Sequence, residues 1–135
     1  MMSFLNRRAA RAAVVTAAGI SALALTAVTA SAKADYDFKA SPHAVKAGGR
    51  IHLKGYADTD SDLFQKFCVQ QRQGGSWRTV KCAHGSIGLG GSVDTWIRAK
   101  HRGTLKFRGA LYETDWGSNK LHLQLVTPTE TVRVR

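Results

Sequence analysis

Acidic side chains, cysteines and helical periodicity are what this chain has least of. Nine Asp and Glu stand against 20 Lys and Arg in 135 residues, so few carboxylates remain for acid–base chemistry. Only Asp94, Glu113 and Asp115 lie centrally, and pairing two of them for glycoside chemistry needs a fold that brings them together. Read plainly they are exposed strand ends, and no enzyme is expected. No G-x-S-x-G elbow occurs; Gly85-Ser86 and Gly91-Ser92 are ordinary turn pairs. His43, His52, His84, His101 and His122 never fall in the H-x-H or H-x-x-x-H spacing that sets two metal ligands on one element. Two cysteines, Cys68 and Cys82, allow a single disulfide. After Lys33 no apolar pattern has a helical period, which argues against a helical domain. No cofactor is expected.

Two glycine- or aspartate-rich stretches imitate ligand loops. Asp58-Thr59-Asp60-Ser61-Asp62 begins like a calcium loop, but Leu63 and Val69 stand where an EF-hand needs its glycine and its bidentate glutamate. A looser oxygen cage from Asp58, Asp60 and Asp62 stays open, beside the reading of a solvated acidic loop. Gly85 to Gly91 resembles a phosphate cradle, yet Val93-Asp94-Thr95-Trp96 after it reads as a strand and not as the helix such a cradle requires. A mobile connection between strands is the expectation there.

What is present begins with a leader. Arg7, Arg8 and Arg11 form a positive start, Ala12 to Val28 an apolar run, and Ala30-Ser31-Ala32 a small-residue cleavage zone, with Ala32-Lys33-Ala34 as a second option. Ala9-Ala10-Arg11 follows Arg7-Arg8 where a twin-arginine signal wants bulky apolar residues, so the general secretory route is expected. The division is then a signal peptide over 1–32, an extended N-terminal segment over 33–48 and one domain over 49–135. Cleavage after Ala32 leaves 103 residues, the size of one domain, secreted and without a run that inserts into a membrane. Three of the 20 basic residues leave with the leader, and the 17 that remain against nine acidic ones give a formal net of +8. Such a surface attracts polyanions. Export removes nucleic acid from the partners and makes oxidation of the cysteines the default.

The local pattern supports that bond. Phe67 to Arg72 and Trp77 to Cys82 read as strands joined through Gln73-Gly74-Gly75-Ser76. A register centred on Gly75 sets Arg72 opposite Arg78, Gln70 opposite Val80 and Cys68 opposite Cys82. It also puts Val80 on the Cys68 face while Phe67 and Val69 point the other way. A bulge, or a strand buried on both sides, reconciles the two.

Further short alternating runs recur between turn signals: Arg50 to Lys54 with Ile51 and Leu53 inward, Val93 to Ala99, Leu105 to Arg108, Leu121 to Leu125, and Val132 to Arg135. Seven or eight such strands in about 100 residues predict an all-β antiparallel sandwich. Val45-Lys46-Ala47-Gly48-Gly49-Arg50-Ile51-His52-Leu53-Lys54-Gly55 resembles the entry strands of bacterial extracellular immunoglobulin-like domains. Gly74 to Val80 and Gly103 to Arg108 resemble hairpins of small secreted actinobacterial proteins of that type, and the Ala/Thr-rich leader is similar to theirs. The resemblance implies a single immunoglobulin-like β-sandwich after a cleaved signal peptide, used for adhesion, spacing or binding.

Candidate contact residues follow from charge and aromaticity. Arg98, Lys100, His101 and Arg102 cluster at one turn; Lys106 and Arg108 share a face of one strand, and Arg133 and Arg135 a face of the last. If these strands are neighbours, they form a cationic stripe. Of the tryptophans, Trp96 or Trp77 is expected in the core, and Trp116, in a polar turn, is the candidate exposed anchor. The reading is a non-enzymatic secreted module, a subunit or adaptor that engages an extracellular or envelope protein, with Lys33 to Lys46 free to add as a strand to a partner's edge. Three alternatives are a cationic binder of anionic cell-wall polymer, a small-molecule carrier apoprotein and a secreted hydrolase or protease inhibitor.

Overall fold

Side chains of alternating character build the framework strand by strand. In Arg50–Thr59 the buried residues are Ile51, Leu53, Gly55 and Ala57, each separated by a more exposed one, which is the period of two that a half-buried strand requires. The computed structural model describes residues 34–135, and the leader expected over 1–32 lies outside them. The described chain is all-β: β1 Ala34–Ser41, β2 Ala44–Val45, β3 Arg50–Thr59, β4 Phe64–Gln73, β5 Ser76–Cys82, β6 Ser86–Ile87, β7 Gly91–Arg98, β8 Gly103–Thr114, β9 Leu121–Val126 and β10 Glu130–Val134.

These strands form two sheets. One has the order β1-β3-β7; the other has β2-β10-β8-β4-β5, with β6 added beside β4 and β9 beside β8. Pairing is antiparallel throughout except for β2, which runs parallel to β10 and sets Ala44 against Arg133 and Val45 against Val134. The parallel pair departs from the purely antiparallel expectation. It arises because the chain leaves the first sheet after Ser41 and joins the other sheet beside the last strand. The stretch expected to be a free extended start is also paired, since Ala34 to Ser41 runs against Thr59 to His52 of β3.

Phe67, Val69, Phe107, Leu111 and Val132 of the larger sheet meet Ile51, Leu53 and Val93 of the smaller one in a shared core. Fully burying each large side chain contributes about 1.5–3 kcal/mol. Gly109 of β8 makes room for the Phe67 ring: a Cβ there would lie 2.6 Å from its Cζ. The core aromatics are phenylalanines, so the expectation of a core tryptophan is wrong. Trp96 is 51% exposed. Val93, Thr95 and Ile97 turn toward the core, and the alternation leaves Trp96 outside with Asp94.

The β4–β5 hairpin corrects the expected register. Its turn is the two-residue Gly74-Gly75, with Gln73 against Ser76 and Arg72 against Trp77 rather than Arg78. Gly74 takes φ +61°, which a glycine at the first central position of a tight hairpin turn adopts without strain. A bulge then shifts the register between Val69 and Gln70, and Cys68 ends opposite Cys82. The two cysteines form a disulfide with their Cα atoms 4.0 Å apart.

A second bulge, between Leu111 and Tyr112, reshapes β9. It pairs Leu125 with inward Leu111 but Leu123 with Tyr112 and Leu121 with Thr114. Leu121 and Leu123, which plain alternation with Leu125 would turn inward, are therefore exposed.

Candidate functional site

The outer face of β4, β5, β8 and β10 is where the sequence gathers cations without anions. Outward positions follow from the register: Lys106 stands beside Thr131, Arg133 beside Thr104, Arg108 beside Gln70 and Arg72 beside Trp77. Glu113 and Glu130 are the only acidic residues in these four strands. Both are drawn off that face. Glu113 is buried and accepts from the Gln65 side-chain amide at 3.0 Å. Glu130 accepts from the Ala40 backbone N–H at 3.2 Å and meets His43 at 3.3 Å.

Trp77 organises the cations. The Arg108 guanidinium lies 4.4 Å from its ring centre and that of Arg72 lies 5.5 Å away. Arg108 Nε also donates to Gln70 Oε1 at 2.8 Å, and Gln70 Nε2 donates to the Tyr112 hydroxyl at 2.7 Å. These bonds leave the terminal nitrogens of Arg108 for another acceptor. Partial burial pulls the Arg108 guanidinium below the ordinary arginine range, and the nearby Arg72 charge adds to that effect. Among the described residues every side-chain ion pair involves a histidine, and neither Arg72 nor Arg108 has a carboxylate partner. Beside them opens a groove of about 710 Å³ lined by Arg72, Gly74, Trp77, Lys106 and the threonines 104, 129 and 131. The Arg72 guanidinium, an ammonium and three hydroxyls line the groove, and with the Arg108 guanidinium on the same indole they can hold an anion and its neighbouring hydroxyl groups.

The predicted contact residues divide among four places. Lys106, Arg108 and Arg133 share the face just described, because β8 and β10 are neighbours as the stripe requires. Arg102 and Arg135 flank a separate depression with Lys46. Arg98 and Lys100 line an opening of about 470 Å³ with His101, Val80, Ile97 and Leu105, and Arg98 donates to the Gly48 carbonyl at 2.8 Å. Trp116 is 79% exposed in the β8–β9 turn. At ~3.3 Å per residue, Thr114 lies about 26 Å along β8 from Lys106, so Trp116 belongs to the other end of the sheet.

As contact residues Arg72, Trp77, Gln70 and Tyr112 are absent from the sequence reading, where Trp77 is a core candidate and Arg72 and Gln70 enter only through the hairpin register. A two-residue Gly74-Gly75 turn is the signal that would have set Arg72 against Trp77. On the opposite sheet a second aromatic cluster stands: His52 stacks on Trp96 with ring centres 4.5 Å apart, and Arg50 lies 4.9 Å from the Trp96 ring centre. His52 Nε2 and Asp94 Oδ1 are 2.5 Å apart, and this bond holds the Asp94 carboxyl below the usual aspartate value.

The three central carboxylates have separate partners. Asp94 meets His52, Glu113 meets Gln65 and Thr59, and Asp115 meets His122 at 2.8 Å. Among the described residues no three His, Cys, Asp or Glu side chains gather as a metal site, the Asp58, Asp60 and Asp62 run included. The glycine-rich connection expected to be mobile is anchored by two hydrogen bonds: Gly90 N–H donates to the buried Gln65 side-chain Oε1 at 2.9 Å, and Ser86 Oγ donates to the Gly90 backbone carbonyl at 2.9 Å.

No family model matches the chain, and no curated protein matches it. Two solved structures give slight likenesses. The sporulation control protein Spo0M of Bacillus subtilis is 10% identical with a TM-score of 0.35, over 76% of this chain and 49% of its own. A β-glucosidase from Listeria innocua in complex with gluconolactone is 13% identical with a TM-score of 0.30, over 75% of this chain and 16% of its own. The chain thus spans half or less of either protein, and likeness of this order carries no argument about fold or function.

Proposed function

We propose that this chain is an extracellular, non-catalytic binding module that takes an anionic polysaccharide, such as an acidic cell-wall polymer, in the groove beside Trp77. The observation that carries the reading is the pair Arg72 and Arg108, ordered over one indole and left without a carboxylate. Like charges held together cost energy until an anion joins them. The threonine hydroxyls beside them suit the hydroxyls of a sugar.

An immunoglobulin-like sandwich is the scaffold proposed. Its support is the strand order, with first, third and seventh strands in one sheet and, in the other, the last strand beside β8, which in turn lies beside β4. The disulfide departs from the usual inter-sheet position of antibody domains, since it joins β4 to β5 within one sheet. Secretion is proposed on the leader pattern, and the disulfide is compatible with it.

Retention on immobilised polygalacturonate, compared with uncharged dextran, tests the reading. The protein should stay on the first, pass the second, and elute when salt shortens the Debye length from ~10 Å at 0.1 M to ~3 Å at 1 M. Equal behaviour on both matrices contradicts it.

A further inference from the structure

In β4 the alternation of a strand puts Phe67, Val69, Gln71 and Gln73 on the core face. Phe67 and Val69 are fully buried. Gln71 stands opposite buried Phe107 of β8 and so keeps to that face, but as a glutamine it does not seal the space between the sheets. Val80 is the extra residue of the β5 bulge, since Thr79 pairs with Gln70 and Lys81 with Val69. Val80, Ile97 of β7 and Leu105 of β8 pack against the core and are only partly buried. With Gln71 and Gln73 they border the opening of about 470 Å³, so the core ends there in an apolar wall that solvent reaches.

The rim of that opening is cationic. Arg98 ends β7, and Lys100 and His101 follow it in the turn to β8. Backbone bonds hold this rim: Ala99 N–H donates to the Gly49 carbonyl at 2.7 Å, and Gly48 N–H donates to the Ala99 carbonyl at 2.6 Å. Arg98 Nη1 donates to the Gly48 carbonyl at 2.8 Å, which fixes the guanidinium beside the opening. No Asp or Glu lines it, and among the described residues Arg98, Lys100 and His101 belong to no ion pair. The volume lies within the ~300–1,000 Å³ of small-molecule sites, whose usual lining is an apolar wall with a few polar groups. The apolar wall disfavours a sugar or an inorganic ion, and the cations disfavour a neutral or cationic apolar molecule. We propose that the opening binds a small carboxylic acid with an apolar tail, such as a medium-chain fatty acid. The tail lies against Val80, Ile97 and Leu105, and the carboxylate meets Arg98 and Lys100. Gln71 and Leu105 alternate with Arg72 and Lys106, so this site and the polysaccharide groove lie on opposite faces of one sheet.

Decanoate, kept below the concentration at which it forms micelles, tests the proposal, with decanol, decyltrimethylammonium and acetate as comparisons. Binding to the full oxidised protein is read by calorimetric titration and by methyl and indole NMR. Decanoate is expected to shift the Val80, Ile97 and Leu105 methyl signals and to leave the Trp77 indole signal in place. Decanol should bind about tenfold more weakly or worse, because it lacks the charge, and decyltrimethylammonium and acetate should not bind measurably. Lys100→Glu should lose about tenfold in decanoate affinity. Lys100 is exposed in a turn, so that variant keeps the fold, which a melting curve checks. No decanoate binding, equal binding of any comparison compound, unchanged affinity in Lys100→Glu, or shifts confined to the Trp77 indole would each overturn the proposal. The last of these outcomes leaves the groove reading standing.

Discussion

The Arg108 guanidinium sits 4.4 Å from the centre of the Trp77 ring, and that contact fixes a cation on a sheet face that carries no anion. Removing the ring should free both guanidiniums at once. Trp77→Ala is expected to weaken polygalacturonate binding by several-fold, since a cation–π contact at an exposed site contributes about 0.5–1 kcal/mol. Thermal unfolding should move little, because Trp77 lies outside the core cluster. A calorimetric titration beside a melting curve checks both parts.

Trp116 supplies the contrast. It is the most exposed tryptophan but stands at the other end of β8. Trp116→Ala should leave polygalacturonate affinity unchanged, and a loss comparable to that of Trp77→Ala would place the site elsewhere.

The disulfide closes a loop between positions 14 apart in sequence. On the chain-entropy model, closure of a loop of roughly 15 residues stabilises by about 3 kcal/mol. Cys68→Ala/Cys82→Ala should therefore lower Tm by about 12–24 °C for a domain of this size. Denaturant titration of oxidised protein and double variant gives the free energy directly.

Gly109→Ala should be costly although it adds one methyl group. The new Cβ would meet the Phe67 ring at 2.6–2.8 Å and the Thr127 Cγ2 at 3.0 Å, and the ring is fully buried with no route aside. Overpacking of this kind costs about 1–3 kcal/mol. The midpoint of urea unfolding should fall while the slope stays constant.

The His52–Asp94 bond predicts a pH effect with a definite sign. The Asp94 carboxyl titrates below its ordinary 3.8 because His52 bonds to its charged form. A depressed folded value means that this contribution is present above the unfolded value and is lost as pH falls through the folded one. His52→Ala should return the Asp94 midpoint, read by carboxyl carbon NMR, toward the ordinary aspartate value.

Much of the fold was legible because alternation is local. Ile51 and Leu53 turn inward as their spacing requires, and Cys68 pairs with Cys82. Errors arose wherever a single inserted residue changed the phase. The hairpin turn is shorter than the expected register allowed, which moves Trp77 against Arg72, and the bulge after Val69 then restores the cysteine pairing. The bulge at Leu111 and Tyr112 likewise reversed Leu121 and Leu123. Bulges depend on what the opposite strand offers, so no pattern within one strand announces them. The cationic stripe was legible as residue types along β8 and β10. Its focus on Trp77 was not, because Arg72 and Arg108 come from different hairpins and meet only through β4 pairing with both β5 and β8.

The central claim rests on two guanidiniums acting together on an anion. Calorimetric titration of polygalacturonate into wild type and into Arg72→Ala/Arg108→Ala, at low and at high salt, measures it most directly. A charge-assisted hydrogen bond contributes about 1.5–3 kcal/mol, so loss of even one should weaken low-salt binding by about tenfold or more. The account predicts that loss, together with a shallower salt dependence in the variant. Equal affinity and equal salt dependence in the two proteins would contradict it.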